Sequence, residues 1–222
     1  MQPETMADFG TYHHSSREES DVIRKHVQRL FVEAFSSTGI SRGSNLDILD
    51  IGSGLGSLAS IAAGFFQKAR ITCIDNFRDS SLKGSSMEKG RRNMDILGLR
   101  QQVSFVEKDI MDLDDTFGKF DLAISNLVLH NLGRRRFEAY ERIARVLKEG
   151  ALFINGDLFL QHGNGDPFNS DMEKVSKIYR VTDHFSEPDS GEWKAYHIVV
   201  LKPRHYSIIS SPSRVPERDI LP

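Results

Sequence analysis

The chain has a single cysteine, Cys73, among 222 residues. One thiol makes neither a disulfide framework nor a cysteine-based zinc site within a chain, so the expected compartment is a reducing one, the cytoplasm. No apolar run is long enough to span a bilayer. The opening stretch, MQPETMADFGTYHHSSREES, is polar and lacks the apolar centre of a secretory signal, so no membrane association is expected. An excess of one charge is missing too: 29 Lys and Arg stand against 31 Asp and Glu, a formal net charge of −2. No global positive field, basic stripe or aromatic platform is there to draw nucleic acid. Internal repeats are absent. The adjacent His13 and His14 have no third ligand at metal spacing, and no metal is expected. What is present, 39% hydrophobic residues in a chain of this length, suffices for one domain with a sizeable core.

The hydrophobic pattern alternates between two periods. SREE, Ser16 to Glu19, has the form of a capping box, and the helix-period run DVIRKHVQRLFVEAF follows it. LDILDI reads as a strand and LGSLASIAAGFF as a helix. RITCID (Arg70 to Asp75) is a second strand, and SMEKGRRNMDILGL a helix ending near Gly98. QVSFVEKD (Gln102 to Asp109) and FDLAISNLVL (Phe120 to Leu129) are further strands. RRRFEAYERIARVLKEG reads as an amphipathic helix, and ALFINGDLF (Ala151 to Phe159) as a fifth strand. DPFNSDMEKVSKIYRV can form a helix, EWKAYHIVVLKP a late strand, and the Ser- and Pro-rich end a tail. Strands separated by helices at this spacing predict an α/β domain with a largely parallel sheet. The expected organisation is a flexible segment over residues 1–20, able to act as a lid, one domain over 21–204 and a tail over 205–222. Ligands of such sheets bind outside the carboxyl ends of the strands. That directs attention to Asp50 to Gly56, Asp75, Asp109, Ser125 to His130, and Gly156 to Asp157.

At the first strand end the chain reads D-x-G-x-G-x-G, from Asp50 to Gly56. Glycine admits positive φ and close approach of a ligand to backbone, and the helix that follows aims free N–H groups at the same spot. The dinucleotide fingerprint G-x-G-x-x-G would need its third glycine at position 57, which is Ser57. Asp75 closes the second strand, 23 residues after Gly52, where an acid can accept both hydroxyls of a ribose. The D-x-G-x-G-x-G turn resembles the first motif of class I S-adenosylmethionine-dependent methyltransferases. GRRNMDILGL, VSFVEKDI and FDLAISNLVLHNL followed by RVLKEGALFI resemble the later segments of that family in the same order, over about Asn45 to Phe159. The family's LKPGG turn is LKEGA here, with Glu149 and Ala151 as the departures.

The resemblance implies a Rossmann-like methyltransferase fold: α/β, doubly wound, with a mostly parallel seven-stranded sheet and helices on both faces. It implies S-adenosyl-L-methionine as cofactor and S-adenosyl-L-homocysteine as product. Carried onto this chain, the cofactor-binding set is Asp50, Gly52, Ser53, Gly54, Gly56, Asp75, Asn76, Phe77, Asp109, Ile110, Ser125 and Asn126. Asp75 would bind the ribose, Asp109 and Ile110 one side of adenine, and Phe77 the other. His130, Asn126 and Asp157 are the candidate catalytic residues. Histidine exchanges a proton near neutral pH, and Asp157 follows the fifth strand. Tyr12, His13 and His14 are candidate substrate contacts, because many family members fold an N-terminal segment over the site. His162 is a weaker candidate. Arg134 to Arg136 could meet a substrate anion, although a solvated helix face is the better explanation of them.

A small-molecule acceptor is expected, with the protein a monomer or homodimer. Rival readings are a nucleic-acid or protein methyltransferase, a binding protein that keeps the cofactor fold without turnover, and an NAD-type oxidoreductase. Ser57 argues against the last. The fourth-strand segment is not the NPPY type linked to amino groups of bases or glutamine, which argues against the first of them.

Overall fold

A computed structural model describes residues 6–12, 15–78, 82–159, 166–186 and 195–204. The elements run α1 (Arg17–Ser37), β1 (Asp47–Ile51), α2 (Ser57–Phe65), β2 (Arg70–Asp75), α3 (Met87–Ile96), β3 (Val103–Glu107), β4 (Phe120–Asn126), α4 (Arg136–Arg145), β5 (Leu147–Leu158), α5 (Pro167–Val175), β6 (Tyr179–Ser186) and β7 (Tyr196–Pro203). Short 3-10 segments, Ile110–Asp112 and Leu129–Arg135, follow β3 and β4.

The seven strands lie in the order β3-β2-β1-β4-β5-β7-β6. β1 to β5 are parallel, and β7 runs antiparallel to both of its neighbours. From β1 the chain winds outward through β2 and β3, then returns to lay β4 on the opposite side of β1. The crevice between β1 and β4 is therefore the topological switch point of the sheet. Strand side chains alternate between two cores. Ile48, Ile71, Cys73, Leu122, Ile124 and Ile154 pack with α1 and α2. Leu49, Ile74, Ala123, Phe153 and Val199 pack with α4. Helices on both faces leave no polar face to the central strands, so they read as near-continuous apolar runs.

The capping box forms as read: Ser16 Oγ accepts from the Glu19 N–H at 3.1 Å, and Glu19 Oε2 accepts from the Ser16 N–H at 2.6 Å. The helix starts at Arg17, so the boundary placed after residue 20 falls inside its first turn. Two elements differ from the sequence reading. RVLKEG does not continue α4; the helix ends at Arg145, and Leu147 already pairs with Phe120. Lys148 reaches Asp121 at 2.8 Å and Asp47 at 3.2 Å across the neighbouring strands, which holds this segment on the sheet. YRV does not extend α5 either but opens β6, an edge strand whose residues after Tyr179 are largely exposed. Having no buried face, it carries no apolar alternation to read.

Candidate active site

Three glycines make the turn after β1. Gly52, Gly54 and Gly56 have φ of 65°, 51° and 86°. The Gly52 and Ser53 N–H groups both donate to the Ile74 carbonyl, at 2.8 and 3.1 Å, which ties the turn to the end of β2. A Cβ on Gly52 would collide with the Val128 side chain, so this glycine lets the β4 loop close on the turn. A Cβ on Gly56 would meet Met94 Cε at 2.8 Å, so that glycine serves the packing of α2 on α3.

Asp75 sits between the two loops. Its Oδ2 accepts from the Gly54 N–H at 2.8 Å and its Oδ1 from the Phe77 N–H at 2.6 Å. At the end of β3, Asp109 Oδ1 accepts from the Met111 N–H at 2.8 Å, and Oδ2 from the Asn76 amide at 2.9 Å. Burial pushes the Asp109 carboxyl up. The Met111 N–H, the Asn76 amide, and the Arg135 and Arg78 charges outweigh it and hold the group below the usual carboxylate range. Asp50 behaves in the opposite way. It is 1% exposed, and burial, opposed by the Ala59 N–H and reinforced by the Asp75 charge, pushes its carboxyl well above the usual range.

On the β4 side, the Ser125 hydroxyl donates to the Ile51 carbonyl at 3.1 Å and binds the two central strands. Asn126 ends the strand, and its Oδ1 accepts from the Tyr196 hydroxyl at 2.6 Å. Leu127 then turns with φ of 58°. His130 follows in the 3-10 segment, with its Nδ1 2.5 Å from Asp157 Oδ1.

These strand ends surround a cavity of about 370 Å³. Of the residues read from the sequence, Asp50, Gly52, Ser53, Gly54, Asp75, Asn76, Asp109, Ile110, Asn126, His130 and Tyr12 line it. Gly56, Phe77, Ser125 and Asp157 are not on its wall. Gly56 and Ser125 instead shape the scaffold, and Phe77, at φ of 54°, packs against the core on the α1 face. Asp157 stands behind His130. His13, His14 and His162 lie outside the described residues. Arg136 is taken up by a two-pronged pair with Asp171, at 2.7 Å for both contacts.

Sequence reasoning missed Leu82, Ser85, Lys108 and Leu132, which also line the cavity. All come from loops or loop-like turns, where no periodicity marks a wall position. It also missed what holds the N-terminal segment in place. The Asn93 side chain accepts from the Asp8 N–H and donates to the Asp8 carbonyl, both at 2.9 Å, and donates to Leu55 O at 3.0 Å. Arg24 donates to Gly10 O at 2.9 Å, Ser20 Oγ accepts from the Tyr12 N–H at 3.0 Å, and Tyr12 bridges to Leu82. Residues 6–12 thereby form a strap that brings Phe9 and Tyr12 to the cavity wall.

The residues present suit an adenosyl cofactor with an amino-acid tail. The turn has no Cβ at its closest approach to Val128. Ser53 Oγ is buried at the cavity wall with the Cys73 thiol as its neighbour among the described residues. Among the described residues no group of three or more His, Cys, Asp or Glu could hold a metal ion, and no helix is long and apolar enough to cross a membrane.

Sheet order and the helices on both faces of the sheet are those of the Rossmann-like methyltransferase fold, with the glycine turn and paired acids at its strand ends. Residues 48–150 match the family described as "Methyltransferase domain". The release factor glutamine methyltransferase of Chlorobaculum tepidum is 29% identical over 113 residues. That match covers 50% of this chain and 35% of the relative, so it spans only about a third of the relative's length. The N-methyltransferase NodS from Bradyrhizobium japonicum WM9, solved with S-adenosyl-L-homocysteine, superposes with a TM-score of 0.60 at 16% identity, over 81% of this chain and 86% of that one. A SAM-dependent methyltransferase from Aquifex aeolicus superposes with a TM-score of 0.56 at 16% identity, over 78% of this chain and 88% of that one. At these identities the superpositions show a shared fold.

Proposed function

We propose that this chain is an S-adenosylmethionine-dependent methyltransferase that passes a methyl group in line to a nucleophile on a small-molecule acceptor. The observation that carries the reading is the Asp75 carboxylate, clasped by the Gly54 and Phe77 N–H groups at the mouth of the switch-point crevice. Asp75 would take the ribose hydroxyls. The Asp109 and Asn76 pair would take the adenine amino group, and Ile110 a ring face. Gly52 to Gly54 would pass close to the ribose and methionine portions, with Asp50 below the ammonium group. Gly56, Phe77 and Ser125 act indirectly, by shaping this cradle. When bound, the cofactor supplies a methyl already activated on a sulfonium. The protein's own work is to bind, to orient and to exclude water.

A small acceptor is favoured because the strap at residues 6–12 brings Phe9 and Tyr12 onto the cavity wall. The Chlorobaculum relative is named for a glutamine of a protein. That acceptor is not favoured here, because β4 runs into Ser125-Asn126-Leu127-Val128 and not Asn-Pro-Pro-Tyr. A cytoplasmic location and a monomer or homodimer complete the proposal. Titration calorimetry with S-adenosylmethionine, S-adenosylhomocysteine and NAD, repeated on Asp75→Ala, tests it. Binding of either adenosyl ligand, lost in the variant, is the expected result. Binding of NAD alone would replace the reading with an oxidoreductase, and affinity without methyl transfer to any acceptor would leave a binding protein.

A further inference from the structure

One pair at the cavity is more elaborate than cofactor binding requires. Asp157 is 3% exposed and lies behind the cavity wall, at the end of β5. Its Oδ1 meets His130 Nδ1 at 2.5 Å and accepts from the Leu158 N–H at 2.9 Å, while its Oδ2 accepts from the His130 N–H at 3.1 Å. Backbone and side chain of His130 are thus held by the same carboxylate. Tyr140 from α4 and Tyr196 from β7 face it as well, and burial pushes both phenols up, so both stay neutral. In a neutral imidazole, a carboxylate at Nδ1 favours the proton on that nitrogen, which turns the Nε2 lone pair outward. His130, on the cavity wall, is the member of the pair that a ligand can reach.

We infer that His130, held by Asp157, takes a proton from the methyl acceptor, and that the acceptor is a hydroxyl on an apolar, ring-bearing small molecule. The inference rests on the methyltransferase reading and names its substrate class. A neutral amine already presents a lone pair and needs no base before attack. A thiol ionises near neutral pH by itself, whereas a phenol, with a pKa of about 10, does not. Carboxylate acceptors would need a cation, and Lys108, which lines the cavity, follows β3 at the far side of β1 from β4. Phe9, Tyr12, Ile23, Leu127 and Leu158 supply apolar and ring surface to the cavity wall. Asn126 completes the match. The Tyr196 hydroxyl occupies its Oδ1, which leaves the amide N–H groups of a cavity-lining residue to donate to the acceptor oxygen. In the step itself an oxygen lone pair forms the O–C bond to the methyl as the C–S pair returns to sulfur. The hydroxyl proton passes to His130 Nε2 and then to solvent, with Asp157 stabilising the imidazolium. His130 is the catalytic residue in this scheme and Asp157 a positioning residue.

The test has a structural arm and a chemical arm, with S-adenosylhomocysteine calorimetry on each protein. Histidine ¹⁵N NMR of the unliganded chain reads the tautomer. His130 is expected protonated at Nδ1 and bare at Nε2 in the wild type, and mixed in Asp157→Asn. A wild-type His130 protonated at Nε2 overturns the inference. In the second arm, methyl-¹³C cofactor is incubated with a small-molecule extract and with catechol and aniline as probes. The carbon shift of the product reports the atom that receives the label. Label on oxygen is expected, with kcat lowered about 100-fold or more in His130→Ala and the acidic limb of its pH profile lost. His130→Gln does not restore it, because an amide keeps the shape and lacks the base. Label on nitrogen, sulfur or carbon, or a variant that retains wild-type kcat, overturns the inference. A chain that fails to bind S-adenosylhomocysteine removes the methyltransferase reading; one that binds it and gives either overturning result removes this inference alone.

Discussion

Asn93 offers a quantitative check on how the site is closed. It is 4% exposed, and its side chain makes three hydrogen bonds: two to the Asp8 backbone in the strap and one to Leu55 O in the glycine turn. At about 1 kcal/mol net per bond, Asn93→Ala should cost about 3 kcal/mol. For a domain of this size that lowers Tm by roughly 6–12 °C. The strap keeps its Arg24 and Ser20 anchors, so Phe9 and Tyr12 would loosen without leaving, and affinity for S-adenosylhomocysteine should fall alongside stability. Asn93→Asp separates geometry from bulk. Its carboxylate still accepts from the Asp8 N–H but confronts the Asp8 and Leu55 carbonyl oxygens, which the amide had served as donor. At neutral pH it should be less stable than the alanine variant. The gap should narrow as the pH falls and the carboxyl gains a proton to donate. Urea denaturation at two pH values measures both. A loss under about 1 kcal/mol in the alanine variant, or an aspartate variant no worse than alanine at neutral pH, would refute the bonding assigned to the strap.

Gly52→Ala combines φ of 65° with a clash on Val128, and should abolish S-adenosylhomocysteine binding in calorimetry; Val128→Ala in the same chain relieves the clash but not the backbone strain, and should restore affinity only in part. Asp50 should release a proton when a ligand ammonium arrives, because burial holds its carboxyl well above the usual range and a cation pulls it down. Calorimetry in buffers of differing ionisation heat reads that proton, and Asp50→Asn should remove it. His197 is the third case: burial first, then the neighbouring His184, pushes its pKa down to about 4, with Asp166 opposing. A histidine whose folded pKa lies below its unfolded value stabilises the fold above about pH 6.5 and loses that contribution as the pH falls toward 4. Denaturation midpoints should decline over that window in the wild type and decline less in His197→Gln.

The parts of the fold legible in the sequence are those where burial on both faces, or a turn of fixed chemistry, leaves little freedom. The central parallel strands read as apolar runs because helices cover them on both sides, and β3, at the sheet edge, by its alternation of buried Val103 and Phe105 with exposed Ser104 and Val106. The Ser16 capping box was visible because Ser and Glu three residues apart have one low-energy arrangement at a helix start. β6 was not legible, since an edge strand such as Tyr179–Ser186 buries too little to impose a period. The end of α4 was misread because Leu147 and Lys148 suit a helix equally well. What keeps them on the sheet is Asp47 and Asp121, which are distant in sequence.

The same division runs through the site. The cofactor half is carried by glycines and acids at strand ends, one short stretch for each function, and most of those residues line the cavity. On the acceptor half, the informative relations join distant positions: Asn126 with Tyr196, His130 with Asp157, Asn93 with Asp8. Each residue of such a pair is unremarkable in its own segment. His130 alone could be a packed surface histidine and Asp157 alone a turn former. The 2.5 Å contact between them is what makes the pair the base proposed above. A catalytic assignment at this site therefore stands or falls with the pair. Replacing Asp157 should act on the reaction through the protonation of His130, although Asp157 itself does not touch the cavity.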